Sequence, residues 1–302
     1  MHVRGTTVLK LTGLLVIPVM IAVFMFVPDP TGGDSEMPIP GPPVPDEGVF
    51  HLDSYAINQD SLYQWFLPER LREISGLATT ADDRLFTHDD ELGVIYEIDP
   101  VAGGIVKIFA LGEGVRDDFE GIAAADAFLY LVTSNGTLYR FREGADGESI
   151  DFELFPTPLD EICEVEGLTY VSSQRQLLLA CKRFLDKDRP RRVSVYGWSI
   201  DQESFSGPLF EIAEKDLMDV TGKKRFDPSG IVYRSESGTL FLVAARQRLI
   251  LEATMNGELI SSMRLAKKKH HQVEGISFLS NGLLILADEA KNRRARLSLY
   301  AP

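Results

Sequence analysis

The sequence predicts an all-β fold, a five-bladed β-propeller carried behind a single N-terminal transmembrane helix. Three observations predict the propeller: a short motif that returns five times, strand-length apolar runs after each return, and a strand-like run left over ahead of the first. The motif reads Glu73-Ile-Ser-Gly76-Leu77, Asp118-Phe-Glu-Gly121-Ile122, Glu164-Val-Glu-Gly167-Leu168, Asp227-Pro-Ser-Gly230-Ile231 and Gln272-Val-Glu-Gly275-Ile276. Its glycines are 45, 46, 63 and 45 residues apart, a period that suits a blade of four antiparallel strands.

After each motif comes a polar turn and a second apolar run, at residues 85–87, 129–132, 177–180, 240–243 and 283–286. A third run follows at 94–98, 137–141, 193–196, 249–251 and 295–300, and a fourth is visible at 105–111, 150–155 and 259–265. Gly, Asp, Asn and Ser turns separate these runs, which therefore read as consecutive hairpins. The last repeat shows only three runs, while residues 61–68 stand where a fourth run precedes every other motif. The expected arrangement is ring closure, with 61–68 beside 295–300 and both sheet edges hidden. The surplus of the 63-residue interval is expected in residues 183–192 and 208–225, where 211–218 suits a short helix. Six blades are the alternative, but a further blade needs about 45 residues that neither this interval nor residues 49–60 supply.

Bulk properties set the remaining limits. At 302 residues, 44% of them hydrophobic and only two of them cysteine, the chain can bury a full-sized core without staples. Residues 11–27 form an uncharged apolar run preceded by Arg4 and Lys10; extended back to Thr6, it is long enough to cross a bilayer as a helix. A cleaved signal peptide is the alternative, but no small-x-small cleavage site follows the run. Basic residues ahead of the span place the N-terminus in the cytoplasm. The expected location is the cell inner membrane, single-pass, with the bulk of the chain periplasmic. Residues 28–48 hold seven prolines and four glycines and read as an extended linker, so the propeller domain is expected over 49–302. Without the anchor, 29 Lys and Arg face 45 Asp and Glu, a balance that disfavours nucleic acid as a partner.

Cys163 and Cys181 share an oxidising compartment if that topology holds. Folding residues 164–182 as a hairpin sets Cys181 opposite Val165 or Glu166 and Cys163 near Phe184, roughly three positions out of register. That register favours two free buried cysteines over a disulfide.

The motif itself is the place where chemistry can sit. Position −3 from the glycine reads Glu73, Asp118, Glu164, Asp227 and Gln272, and position −1 reads Ser75, Glu120, Glu166, Ser229 and Glu274. A period of two puts both on one side of the strand, so inner strands converging on an axis would carry two stacked rings of oxygen groups. Carboxylates so gathered repel one another and shift upward in pKa unless donors or a cation compensate, and calcium suits such oxygens. The plain alternative is a structural ring filled with water, with glycines that let neighbouring strands approach.

Basic loops fall on the face where these strands start, and they define a candidate ligand-binding rim of His88, Asp89, Lys182, Lys223, Lys224, Arg225, Arg246, His271, Asp288 and Glu289. A basic rim above a carboxylate ring would suit an anionic small ligand held partly through a cation; solvated turns are the bland reading. The run 267–271, three lysines and two histidines, would equally suit lipid phosphates. There is no Gly-x-Ser-x-Gly, His-Glu-x-x-His or phosphate loop.

The repeated Ser/Glu-Gly-Leu/Ile motif carries a resemblance, together with Glu166-Gly-Leu-Thr-Tyr170, Leu177-Leu-Leu-Ala-Cys-Lys182, Val273-Glu-Gly-Ile-Ser-Phe278 and Leu284-Ile-Leu-Ala-Asp-Glu289. Over residues 60–300 the chain resembles the SdiA-regulated, YjiK-like family. The resemblance implies an inner-membrane-associated propeller related to NHL-type repeats and leaves activity open. Family-like acidic positions fall on Glu73, Glu120, Glu166, Asp227 and Glu274, whereas Ser75, Ser229 and Gln272 interrupt a full carboxylate ring. The leading expectation is an envelope-facing binding module for an anionic ligand or a partner protein. The alternative is a calcium-dependent hydrolase of a phosphate ester or lactone, and a structural scaffold is the third reading.

Overall fold

Each repeat folds into one twisted sheet, and five sheets stand around a common axis. The computed structural model describes residues 48–302, all within one compact unit, Pro38–Pro302. The chain opens with β1 (Tyr63–Phe66) and lays down blade 1 as β2 (Ile74–Thr79), β3 (Leu85–Asp89), β4 (Val94–Ile98) and β5 (Ile105–Leu111). Blade 2 is β6 (Phe119–Ala125), β7 (Phe128–Thr133) and β8 (Leu138–Phe141), followed by a two-residue β9 (Ser149–Ile150) and by β10 (Phe152–Phe155). Blade 3 is β11 (Cys163–Val171), β12 (Gln176–Phe184), β13 (Arg192–Ser199) and β14 (Ser204–Ala213), and α1 (Glu214–Thr221) leads out of it. Blade 4 is β15 (Gly230–Arg234), β16 (Thr239–Ala244), β17 (Leu249–Thr254) and β18 (Leu259–Arg264); blade 5 is β19 (Val273–Phe278), β20 (Leu284–Asp288) and β21 (Arg296–Tyr300). β1 pairs antiparallel with β21, from Tyr63 opposite Leu299 to Phe66 opposite Arg296, and so supplies the outer strand of blade 5.

Middle strands of a propeller are covered on both faces, and their sequences show it. Along β12 the side chains of Leu177 and Leu179 enter the core between blades 2 and 3, while Leu178 and Ala180 enter the core between blades 3 and 4. Strand periodicity thus sends alternate residues of one apolar run into two different interfaces. Five such interfaces complete the ring. Trp198 anchors one of them, its ring 5.2 Å from that of Phe155.

Three details depart from the sequence expectation. The apolar run at 150–155 divides at Asp151: Ser149 and Ile150 pair in parallel with Ala110 and Leu111 of blade 1, and only Phe152–Phe155 joins blade 2. The helix after blade 3 starts at Glu214 because Glu211, Ile212 and Ala213 continue β14 opposite Ser194, Val193 and Arg192. Cys163 and Cys181 form a disulfide. The expected register is present, Cys163 opposite Phe184 and Val165 opposite Cys181, but irregularities on both sides of Val165 compress the hairpin and bring the two Cα atoms to 5.9 Å.

Residues ahead of β1 form a strap rather than a blade. Leu52, Tyr55 and Ile57 are buried in the core between blades 4 and 5. The fully buried carboxylate of Glu252 accepts hydrogen bonds from the Leu52 N–H at 2.8 Å and from Thr239 at 3.0 Å, and it lies 2.6 Å from His51 Nδ1. The transmembrane helix expected over 1–27, and the linker as far as residue 47, lie outside the described residues. Among the described residues no helix is long and apolar enough to cross a membrane.

Candidate functional site at the axial mouth

The motif glycines build the axis. A Cβ on Gly121 would lie 2.7 Å from the backbone nitrogen of Leu168, and one on Gly275 would lie 2.7 Å from Leu77 Cγ. At Gly76 and Gly167 it would come within 3.2 Å of the Cα atoms of Gly121 and Gly230, and at Gly230 within 3.1 Å of the Glu274 carbonyl oxygen. Each inner strand therefore leans on the next through a glycine, and the five contacts close a circle. The waist retains a cavity of only 10 Å³, room for about one water molecule. The axis is consequently pinched into two mouths. The mouth beside the motif has a cavity of 140 Å³ that includes Glu166, Lys182, Asp227, Gln272 and Glu274 in its lining. The opposite mouth, 380 Å³, is lined by many hydroxyls, among them Thr79 and Ser277, 2.6 Å apart, together with Asp83, Arg234 and Glu236.

Position −1 falls within a register irregularity in blades 2, 3 and 5, between Phe119 and Gly121, Val165 and Leu168, and Val273 and Gly275, and borders one in blade 1, between Ser75 and Ala78. Strict two-residue alternation stops there, because a bulge adds a residue to one strand and re-aims its side chain. Glu120 and Glu274 line the waist itself, and Glu166 shares the mouth with Glu274. Ser229 is satisfied by backbone: its hydroxyl donates to the Val273 carbonyl at 2.7 Å and accepts from the Ala245 N–H at 3.0 Å.

The carboxyls at this level are electrostatically unequal. Glu166 is ion-paired with Lys182, whose Nζ also lies 3.5 Å from Glu164. Glu120 has no hydrogen bond or ion pair among the described residues; burial, then the charge of Asp118, pushes its pKa up to about 8. Glu274 is raised to about 7 by burial and then by Glu289, although Gln272 offers it a hydrogen bond. Burial is the leading cause in both, ahead of the mutual repulsion that the ring of acids suggests on its own.

The −3 side chains behave differently, since most are held by neighbours of their own blade. Glu164 pairs with Arg183, Asp227 accepts from Arg225 at 2.7 Å and from Gln247 at 3.0 Å, and Gln272 donates to Glu289. Glu73 lies 4.0 Å from Arg72, and Asp118 is exposed. Of the rim candidates, Lys182 and Arg246 line the motif-side mouth, while Lys223 is exposed and Lys224 comes within 3.9 Å of Glu214.

His88 and Asp288 do not reach the rim; both are wholly buried. Burial lowers the His88 pKa to about 4, and its Nε2 has no partner among the described residues. Burial alone would raise Asp288, but hydrogen bonds and charge from His270 and Arg296 outweigh it and hold the pKa below its ordinary value. His271 packs beside that carboxylate, with Nδ1 3.6 Å away. Asp90 was not picked out among the site residues: burial, then Glu73 and Asp89, raises its pKa to about 7. Its only sequence signal is its place next to Asp89 in an acidic turn.

The geometry does not suit a symmetric cation cage. Serines occupy two of the five −1 positions, Lys182 supplies positive charge at Glu166, and among the described residues no three His, Cys, Asp or Glu side chains are grouped to hold a metal ion. What the mouth offers chemically is a carboxyl that keeps its proton near neutrality beside a carboxylate compensated by lysine.

Residues 209–301 match the family model described as SdiA-regulated, which spans the end of β14, α1 and blades 4 and 5. No curated protein matches the chain. Among solved structures, the glutaminyl cyclase of Myxococcus xanthus is similar at 12% identity over 80% of this chain and 94% of its own, with a TM-score of 0.55; at that identity the likeness is one of fold. A luciferin-regenerating enzyme aligns at 13% identity over 76% of this chain and 92% of its own, TM-score 0.47. The PQQ-bound aldose sugar dehydrogenase of Streptomyces coelicolor aligns at 13% over 79% and 98%, TM-score 0.47. These neighbours are enzymes of different kinds.

Proposed function

We propose that the motif-side axial mouth is a hydrolytic site for a small neutral ester, a lactone being the class that suits it best. One observation carries this reading: Glu120 and Glu274, with pKa values raised to about 8 and about 7, stand at the same level as Glu166 compensated by Lys182. Environments that push neighbouring carboxyls apart in this way separate an acid from a base. In the proposed reaction a protonated Glu120 or Glu274 donates to the departing alkoxide of the ester, and a carboxylate of the Lys182 cluster accepts a proton from the attacking water. A phosphate ester is the poorer candidate, because it would carry negative charge into a mouth already lined by Glu166, Asp227 and Glu274. The side chains as placed do not fit calcium, so no step is routed through a metal. An envelope location, the expectation from residues 1–27, is compatible with such an activity and plays no part in the argument.

The test is a lactone panel offered to the purified full chain, with and without chelator. Hydrolysis is expected to be chelator-resistant and to fall by about 10²- to 10⁴-fold in E120Q or E274Q, the usual contribution of a positioned acid. Equal rates in both variants and wild type would remove the axial acid. A rate that appears only with added calcium, accompanied by a calcium-dependent rise in Tm, would make a metal the counter-charge in place of Lys182.

A further inference from the structure

The interval between Gly167 and Gly230 is 63 residues, against 45 or 46 elsewhere, and its surplus builds a cleft outside the fivefold pattern. One wall is the loop between β12 and β13, residues 185–191; the other is the segment after α1, residues 224–227. The cleft encloses 610 Å³, more than either axial mouth, and lies within the size range of small-molecule sites. Eight Lys and Arg side chains line it against two acidic ones, Asp186 and Asp227. In a chain of net charge −14 that concentration is unusual.

Much of this charge is already balanced, and the exceptions are informative. Arg183 pairs with Glu164, Arg225 with Asp227, and Lys182 with Glu166. Arg189 and Arg192 share the single carboxylate of Glu211, at 2.7 and 3.1 Å. Lys187 and Arg191 make no hydrogen bond or ion pair among the described residues, and the nearest carboxylate to Lys224 is 3.9 Å away. Uncompensated positive charge therefore stands on the 185–191 wall, and the opposite wall adds exposed Lys224, whose one carboxylate contact is the long one to Glu214. Between them the lining is apolar: Phe184, with the Arg189 guanidinium 3.7 Å from its ring centroid, buried Leu217 and Phe226, and half-exposed Leu185.

We infer that this cleft binds a phosphomonoester bearing an apolar substituent. A dianion matches cations offered from two sides, guanidinium groups fit phosphate oxygens in pairs, and an apolar group would cover Leu185 and Phe184. A concave site of this volume favours a discrete molecule over a flat anionic surface. The inference does not depend on hydrolysis at the axial mouth.

Phenyl phosphate is a suitable probe, titrated calorimetrically into the purified full chain. Saturable binding is expected, at least tenfold tighter than that of inorganic phosphate or phenol, and weakening as salt is raised. K187A/R191A should lose at least tenfold in affinity with an unchanged Tm, and K187E/R191E should lose more; both side chains are exposed, so the fold is not at risk. E120Q should bind phenyl phosphate like wild type even if it abolishes lactone hydrolysis, which separates this site from the axial one. Undiminished binding by K187A/R191A, or no saturable binding by wild type, would overturn the inference. So would binding confined to vesicles containing phosphatidylglycerol, since the charge would then serve a lipid surface.

Discussion

Glu120 shows most directly how burial converts a repeated acidic residue into a distinct chemical group. An acid whose folded pKa exceeds its unfolded value holds its proton more tightly in the native state, so native stability falls as pH rises between the two. For Glu120 that window runs from the ordinary value of 4.5 to about 8. Thermal melts from pH 5 to pH 8 should therefore show a falling Tm. E120Q, which cannot ionise, should fall less steeply and exceed wild type at pH 8 by about 1–2 kcal/mol, a fraction of the full linkage energy because the group is only partly enclosed. Parallel slopes would mean that Glu120 ionises without penalty. The sequence marked Glu120, Glu166 and Glu274 as equivalents, because each precedes a motif glycine. It carried no sign that Lys182 pairs directly with Glu166 and not with Glu120 or Glu274, since that lysine lies two residues past the end of the second apolar run and reads as one rim cation among several. His88 and Asp288 illustrate the opposite error: polar residues at strand ends look exposed in a linear reading, yet both are sealed under neighbouring strands.

At the level of the strand, glycine and bulge act together. The motif glycine removes a side chain where one inner strand meets the next, and the bulge re-aims the preceding residue. Gly121→Ala is expected to destabilise by about 2–3 kcal/mol, the cost of overpacking, because the added Cβ meets backbone 2.7 Å away. Gly147→Ala is a useful contrast. Its φ is +76° but nothing lies within 4 Å of the added carbon, so only about 1 kcal/mol of left-handed strain is expected. Urea midpoints of the two variants separate steric closure of the axis from backbone preference; equal losses would deny the glycine circle its structural role. The glycines were legible because their spacing is a property of the chain. The bulges were not, since no residue type demands them; for the same reason the cysteine register was read correctly while the closeness of Cys163 and Cys181 was missed.

For the whole molecule, the strap ahead of β1 couples the start of the described chain to blades 4 and 5. Removing residues 48–60 would strip Glu252 of its contacts with His51 and Leu52, and would take Leu52, Tyr55 and Ile57 out of the apolar core between blades 4 and 5 and uncover it. A loss of about 5 kcal/mol or more is expected from the three core side chains removed and the apolar surface they leave uncovered, measured as a fall in urea midpoint. A truncated chain as stable as the full one would reduce the strap to a passive tail. Ring closure by β1 and β21 belongs to the same scale, because it joins strands more than two hundred residues apart and covers the edge that β21 would otherwise present.

Repetition was written in the sequence: five motifs at near-equal spacing, apolar runs of strand length and a leftover run before the first motif point to five blades, because each blade depends on a local hairpin pattern. The long third interval was equally plain as a break in that pattern. Tertiary structure alone decided which acids keep their protons, where Lys182 spends its charge, that the axis is pinched into two mouths, and that the surplus of the third interval forms a basic cleft. Those outcomes depend on burial and on distances between residues remote in the chain, and a linear pattern does not contain either quantity.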